Sequence, residues 1–548
     1  MFDVAIKNGT IIDGSGGKKF RANIGIKKGK IKKISNSGSF KGKKEIDAID
    51  KYVTPGFVDI LNHTDGYLTL LNNTTVDSLV LQGITTIICG NCGTSLAPLA
   101  SKKTFSDILK SSFFRKNIIL APSKGENLLK NVKRWASDFG VNITWVTFEE
   151  YLAEIKKKGL SCNFGSLVGY NTCRRAIVGD EVRNLTFDEL KLFGETVEDA
   201  FKSGALGVSL GLAYSHGSFI KDKEILRILS ILKGSKKICS IHLRDEGIDI
   251  KKSVLEAIEL AKNKISVQIS HFKNPLRETW QQIDEILELI SQANKEGYNI
   301  NFDIYPYDRA WLPLYSYLPK WLFEGGKDKL IERLKNKSNR SKIIKAIEEL
   351  EWSFGEFVIS YAPNNKFLIG NNIKEVARNQ NISVTEALID LLINNKGDLV
   401  CFSNKEFISE ANIEKEIKNP YSMITSDGVA YNLDFTKEGQ LVHPRCFGAF
   451  PRFLNKYVKN NKVIGWEEAI KKITSAPAKK IGLSDRGEIK ENYWADITLI
   501  DPNEIKDRAT YENPFQYAKG IKWVLVNGKP VIEEGKHNKS LAGEVLKG

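Results

Sequence analysis

Two stretches decide the fold: Lys237-Ile238-Cys239-Ser240-Ile241-His242 and Ile265-Ser266-Val267-Gln268-Ile269-Ser270-His271-Phe272-Lys273. Each is a short apolar run of strand length. Between them Val254, Leu255, Ile258 and Ala261 recur at helical spacing, so the segment reads as strand, helix, strand. Working outward, the same alternation continues. Strand-like segments lie at Gly56–His63, Ile84–Cys89, Asn163–Val168 and Ala205–Leu210 on one side, and at Ile300–Tyr305 and Tyr421–Asp427 on the other. Helical patterns fill most of the gaps, as at Phe187, Leu190, Phe193 and Val197. Eight strands alternating with helices predict an α/β fold, a distorted (β/α)8 TIM-type barrel. The excursion before the last strand, about 313–413, is too long for a loop and carries its own patterns (Leu330, Ile331, Leu334; Ile343, Ile344, Ile347, Leu350), which predicts a helical insertion.

The two ends read differently. Asn8-Gly9, Gly14 to Gly17 and Lys28-Gly29 punctuate alternating stretches near the start, and Asp496–Ile500 and Trp523–Ile532 repeat the style near the end. Residues 1–55 and 481–548 are therefore expected to form one small β-sandwich domain built from both termini, around a barrel of 56–480.

With 548 residues, 42% hydrophobic and 27% charged, the chain has the composition of a globular protein. No apolar run reaches the length of a membrane span. Met1 is followed by neither a basic nor an apolar leader, and seven scattered cysteines do not suggest a disulfide framework. A cytoplasmic location is expected. The net charge of +15 is spread as Lys-Lys and Lys-x-Lys over amphipathic segments without a basic block, which points to a solvated surface rather than to nucleic acid or a membrane. A homo-oligomer is compatible with this sequence.

Only six histidines occur, and three of them, His63, His242 and His271, close predicted strands. C-terminal strand ends of such a barrel converge on one rim. Cys92, in Gly90-Asn91-Cys92-Gly93, follows the second strand, and Asp427, in Thr425-Ser426-Asp427-Gly428, lies at the eighth. Lys273 shares the parity of His271. Each alone is an ordinary structural residue. Together a thiolate, two imidazoles and a carboxylate suit zinc.

These residues resemble the N-acyl-D-amino-acid deacylases (D-aminoacylases), a branch of the metal-dependent amidohydrolase superfamily. The similarity runs through Pro55-Gly56-Phe57-Val58-Asp59, Gly90-Asn91-Cys92-Gly93, Gly211-Leu212-Ala213-Tyr214, His242-Leu243-Arg244, Ser270-His271-Phe272-Lys273, Asp303-Ile304-Tyr305-Pro306-Tyr307, Ser426-Asp427-Gly428 and His443-Pro444-Arg445. The resemblance implies one tightly held Zn2+ on Cys92, His242 and His271, with Asp427 as general base. It also implies Arg445 on a substrate carboxylate, and Lys273, Tyr214 and Tyr305 or Tyr307 near the substrate. Hydrolysis of N-acyl-D-amino acids or D-amino-acid-containing dipeptides is its implied activity. His63 and Lys273 are then placed to stabilise the oxyanion.

The superfamily's first strand ends in His-x-His; here the first position is Leu61. A second ion would keep only His63 and Asp427, so at most a weak one is expected, and an impaired enzyme is the alternative. Another alternative is a cyclic-amide hydrolase of the hydantoinase or dihydroorotase kind, which needs a lysine that Ala205–Leu210 lacks. Trp311, after Asp308-Arg309-Ala310, and Tyr170 also depart from the family's pattern.

Overall fold

The eight apolar segments become eight parallel strands: β1 Phe57–Asp59, β2 Ile84–Cys89, β3 Asn163–Ser166, β4 Gly207–Gly211, β5 Ile238–His242, β6 Ser266–Ile269, β7 Ile300–Ile304 and β8 Ser422–Ile424. The computed structural model describes residues 1–38, 40–100, 132–133, 136–137, 140–179, 181–218, 220, 222–350 and 352–548. Strands buried on both faces need near-continuous apolar runs, as in Ile-Cys-Ser-Ile of β5. The barrel is distorted in a definite way. β1, β2 and β3 form one sheet, β4 to β8 another, and Val168–Gly169, just past β3, pairs with β4. On the far side, among the described residues, closure rests on a single parallel bridge, Asn62 to Gly428, where His63 N–H donates to Gly428 O at 2.8 Å and Asp427 N–H to Leu61 O at 3.1 Å. The ends of β1 and β8 are thus tied together at the rim where the candidate residues sit.

The helices pack as their periodicity requires, with adjustments. In Ile250–Lys262 the buried face is Val254, Ala257, Ile258 and Ala261, while Leu255 is 44% exposed. Helix Phe187–Ser203 starts with a capping box, Thr186 with Glu189, and buries Phe193 and Val197. Its first residue, Phe187, lies outside the core, so the apolar stripe is one turn shorter than the sequence pattern.

A nine-stranded sheet draws five strands from residues 2–55 and four from 497–537. The two ends of the chain join where Tyr52–Pro55 pairs antiparallel with Ile497–Ile500. Its core includes Ile6, Ile24, Ile26, Val53, Ile497, Leu499 and Leu525.

The insertion is not purely helical. Trp311–Pro313, Val400–Phe402 and Val358–Tyr361 form an antiparallel three-stranded sheet, with Val400–Phe402 in the centre and helices such as Lys327–Lys335 and Val384–Asn394 around it. Strands of three or four residues are too short to register as a period in the sequence. Among the described residues no helix is long and apolar enough to cross a membrane.

Candidate active site

Cys92, His242 and His271 converge at the rim. The three donor atoms lie within 4.8 Å of one another. His242 Nδ1 is 2.8 Å from His271 Nε2, which is 3.3 Å from Cys92 Sγ. His63 Nε2 lies 3.8 Å from the same sulfur and 3.1 Å from Asp427 Oδ1. The remaining histidines lie elsewhere: His216 on Arg174, His443 beneath Arg445, and His537 in the terminal sheet.

The backbone is bent sharply at three of these residues. Cys92 (φ 53°), His271 (φ 35°) and Asp427 (φ 47°) all occupy the left-handed region, at a cost of about 1–3 kcal/mol each for a non-glycine residue. The flanking glycines of the Cys92 turn have no alternative. A Cβ on Gly90 would meet Leu167 O at 2.0 Å, and one on Gly93 would meet Gly211 N at 2.6 Å. Ser209 of β4 stitches the turn, its Oγ accepting Gly93 N–H at 3.0 Å and donating to Gly90 O at 2.6 Å. Ser209 thus sits on the strand where a cyclic-amide hydrolase would carry its bridging lysine.

The donor set fits a zinc ion. In a tetrahedral zinc site neighbouring N and S donors lie about 3.3–3.6 Å apart, a spacing that small rotations of these side chains reach. Burial, aided by the Asp427 carboxylate, pushes the Cys92 thiol well up, so a thiolate here requires a cation beside it. Burial also keeps the His242 imidazole neutral, the form that ligates.

Asp427 faces this cluster. Burial would raise its carboxyl, but Arg445 together with His63 and His271 outweighs that and holds it far below the usual range. Arg445 Nη1 is 2.8 Å from Asp427 Oδ2. The guanidinium is 4.6 Å above the ring of Tyr305 and 6.0 Å from that of Trp311, and its backbone N–H donates to His443 Nδ1 at 3.0 Å. Arg445 Nε and Tyr305 Oη have no hydrogen-bond partner among the described residues. The Tyr214 ring lies 4.8 Å from that of His242. Tyr307, by contrast, is fully buried, with Arg452 over its ring at 4.7 Å and His443 at 5.1 Å. Of the two tyrosines only Tyr305 is stacked on Arg445.

Leu61 is buried in an apolar cluster with Val58, Ile60, Ile88 and Met423, and contributes no donor to the rim. Lys273 is committed: its Nζ lies 2.6 Å from Glu246 Oε1 and 3.1 Å from His271 Nδ1, and Glu246 Oε1 is itself 3.1 Å from His271 Nδ1. A carboxylate on Nδ1 leaves Nε2 free to ligate a metal, the usual arrangement behind a metal-bound histidine.

Glu246 has no assigned role in the sequence reading, although it follows His242 closely; its partners come from the next strand. Buried Asp59 and Asp303 were equally silent. Tyr67 is a further surprise, its ring stacked on Trp311 at 5.5 Å and 12°. That pair brings the first strand of the insertion to the site, with Trp311 Nε1 anchored on Ser360 Oγ at 2.9 Å.

The amidohydrolase family profile matches residues 441–532. D-aminoacylase of Alcaligenes xylosoxydans xylosoxydans is 28% identical over 546 residues, covering 100% of this chain and 97% of that protein. A solved structure of D-aminoacylase, described for its binuclear metal centre with one-metal activation and second-metal attenuation, superposes over the full length of both chains with a TM-score of 0.79 at 26% identity. N-acyl-D-glutamate deacylase from Bordetella bronchiseptica, solved with zinc and a phosphonate mimic of the tetrahedral intermediate, shares the fold at a TM-score of 0.78 and 24% identity, again over 100% of both chains. The fold and the matches point to one class: the chain is similar to the amidohydrolases. Within that class the chain is similar along its whole length to the D-aminoacylases.

Proposed function

We propose that the chain is a zinc-dependent deacylase that cleaves N-acyl-D-amino acids, or related D-amino-acid-containing dipeptides, to a carboxylate and a free D-amino acid. The observation that carries this reading is the convergence of Cys92 Sγ, His242 Nδ1 and His271 Nε2 beside the Asp427–Arg445 pair. The D configuration rests on the likeness to the D-aminoacylases. We assign Cys92, His242 and His271 to one firmly bound zinc, and only a weak second ion to His63 and Asp427.

Zinc held there supplies a Lewis acid for the scissile carbonyl and brings the pKa of water down to about 7. The chain's own residues do the rest. Asp427 accepts the proton of the attacking water and returns it to the departing amine. Arg445 presents its partnerless Nε edge to the substrate carboxylate as a planar pair of donors, which lysine cannot match. His63 lies near enough to Asp427 to steady the developing charge on the oxygen, with Lys273 contributing its field from behind His271. Tyr305 and Tyr214 flank the substrate, while Tyr307 packs deeper, against His443 and Arg452.

The division into 1–55, 56–480 and 481–548 belongs to this reading, supported by the sheet that unites both ends. All seven cysteines are unpaired and buried, which supports a reducing compartment, the cytoplasm.

Amine release from N-acetyl-D- and N-acetyl-L-amino acids, D-containing dipeptides and hydantoins tests the proposal. Turnover confined to linear D substrates is expected. Opening of hydantoins without cleavage of linear amides would replace this reading by the cyclic-amide one.

A further inference from the structure

Each site residue with left-handed backbone has a buried aspartate behind it. Asp303, on β7, accepts the His271 N–H on Oδ1 at 2.7 Å and Gln268 Nε2 on Oδ2 at 2.7 Å. Asp59, at the end of β1, accepts the Ser426 N–H on Oδ1 at 2.8 Å and Thr425 Oγ1 at 2.7 Å, while its Oδ2 takes Asn62 Nδ2 at 2.9 Å and the Ser426 hydroxyl. Asp65 accepts the Gly90 N–H on Oδ2 at 2.9 Å and the Gly66 N–H on Oδ1 at 2.7 Å. The three carboxylates are at most 2% exposed. Among the described residues no hydrogen bond joins any of them to the Cys92 sulfur or to the rings of His242 and His271.

We propose that Asp59, Asp65 and Asp303 are positioning residues that hold the loops of Asp427, Cys92 and His271 in the strained backbone that aims their side chains at one point. The proposal rests on the zinc-hydrolase reading. A strand arriving at the rim would continue straight; the sharp turn instead leaves a backbone N–H at or just before the left-handed residue, that of His271, Ser426 or Gly90, pointing inward and away from the strand ladder. Such a buried donor must find an acceptor. A carboxylate is the strongest acceptor a side chain offers to a backbone N–H, and it fixes the direction of the turn as well. The same device recurs at three loops from different strands. In each the acceptor comes from a different part of the chain: β7 for His271, β1 for Ser426 and the loop after β1 for Gly90.

The hydrogen bonds make opposite forecasts for one chemical change. In Asp303→Asn the amide oxygen still accepts the His271 N–H. The new NH2 can donate to Gln268, whose Oε1 has no partner among the described residues and is presented by turning that amide over. Both oxygens of Asp65 face backbone N–H groups, which cannot turn over, so Asp65→Asn must leave one of them facing an NH2.

The test is competition for Zn2+ with a chromophoric chelator, alongside kcat and KM on an N-acyl-D-amino acid. Asp303→Asn is expected to keep the wild-type zinc affinity. Asp65→Asn and Asp303→Leu are expected to lose about 10–100-fold, the range typical of outer-shell partners, with kcat lowered and KM changed little because Arg445 is on neither loop. Equal zinc affinity in wild type, Asp65→Asn and Asp303→Leu would overturn the proposal, as would loss in Asp303→Asn equal to that in Asp65→Asn. If Asp303→Leu does not fold, the two asparagine variants decide. A wild type that binds no Zn2+ sinks the hydrolase reading and this inference with it, whereas a zinc-binding, active wild type with indifferent variants sinks the inference alone.

Discussion

Arg445 holds Asp427 directly: Nη1 of the guanidinium is 2.8 Å from Oδ2 of the carboxylate. The residue assigned to the substrate carboxylate and the residue assigned to the proton are therefore one ion pair. Removing either has a separate signature. Asp427→Asn is expected to lower turnover by at least the 10²–10⁴-fold that general-base catalysis supplies while zinc stays on Cys92, His242 and His271. Cys92→Ala is expected to lose the metal. Metal analysis and amine release on the same preparations check both, and undiminished turnover in Asp427→Asn removes it from the role of base.

For Arg445 the expected loss is in substrate binding. Charge-assisted hydrogen bonds contribute about 1.5–3 kcal/mol, so Arg445→Met should cost about 10- to 150-fold in kcat/KM. Arg445→Lys should recover little of it, because an ammonium cannot make the paired contact. N-acyl amines that lack the carboxylate should be poor substrates for the wild type and should lose less than the acids do in Arg445→Met, their remaining loss coming from the broken pair with Asp427. Equal discrimination in both proteins for carboxylate over amine would place the anion site elsewhere.

The metal count follows from Leu61. With that side chain buried among Val58, Ile60 and Met423, the second ion lacks a ligand that the superfamily's His-x-His supplies. Purified protein is expected to hold one zinc that resists dialysis. A dialysis-stable stoichiometry of two would contradict the assignment.

Much of this was legible in the sequence, and the reason is spacing. Eight apolar runs of strand length, several ending in a chemically distinctive residue, fixed both the barrel and the rim, because strand parity and a common C-terminal edge need no knowledge of tertiary contacts. The four converging residues could be read this way. Asp59, Asp303 and Glu246 could not, because a buried carboxylate acquires its role from partners 27 to 367 residues away. Trp311 stands out in the sequence, yet its stacking on Tyr67 depends on how the insertion returns to the barrel, and the insertion's short strands leave no periodic trace.

That aromatic pair carries a prediction about substrate. Tyr67 and Trp311 stack beside the Arg445 guanidinium, proposed above to take the carboxylate, so a flat or bulky side chain on the amino acid would lie against them. Ring pairs contribute about 0.5–1.5 kcal/mol beyond burial. Trp311→Ala is expected to lower kcat/KM for N-acetyl-D-phenylalanine about 3- to 10-fold more than for N-acetyl-D-alanine. An equal effect on both substrates would assign Trp311 to folding of the insertion alone.

Away from the rim, Lys472 predicts how stability depends on pH. Its Nζ donates to Asn419 O at 2.6 Å, Ser422 Oγ at 3.0 Å and Ser422 O at 3.2 Å, pinning helix Trp466–Ile473 to the start of β8. Burial pulls the ammonium down to about 8, with Glu468 opposing. An unfolded lysine titrates near 10.4. Between these values the unfolded chain binds a proton that the folded chain does not, so stability rises with pH across the window and is unaffected by this group below it. The full effect is about 3 kcal/mol. Urea midpoints of wild type and Lys472→Met at pH 8, 9 and 10.5 measure it: the difference should move in favour of the wild type as pH rises. A difference independent of pH would mean that the lysine keeps its proton in the fold, held by the three oxygens it contacts.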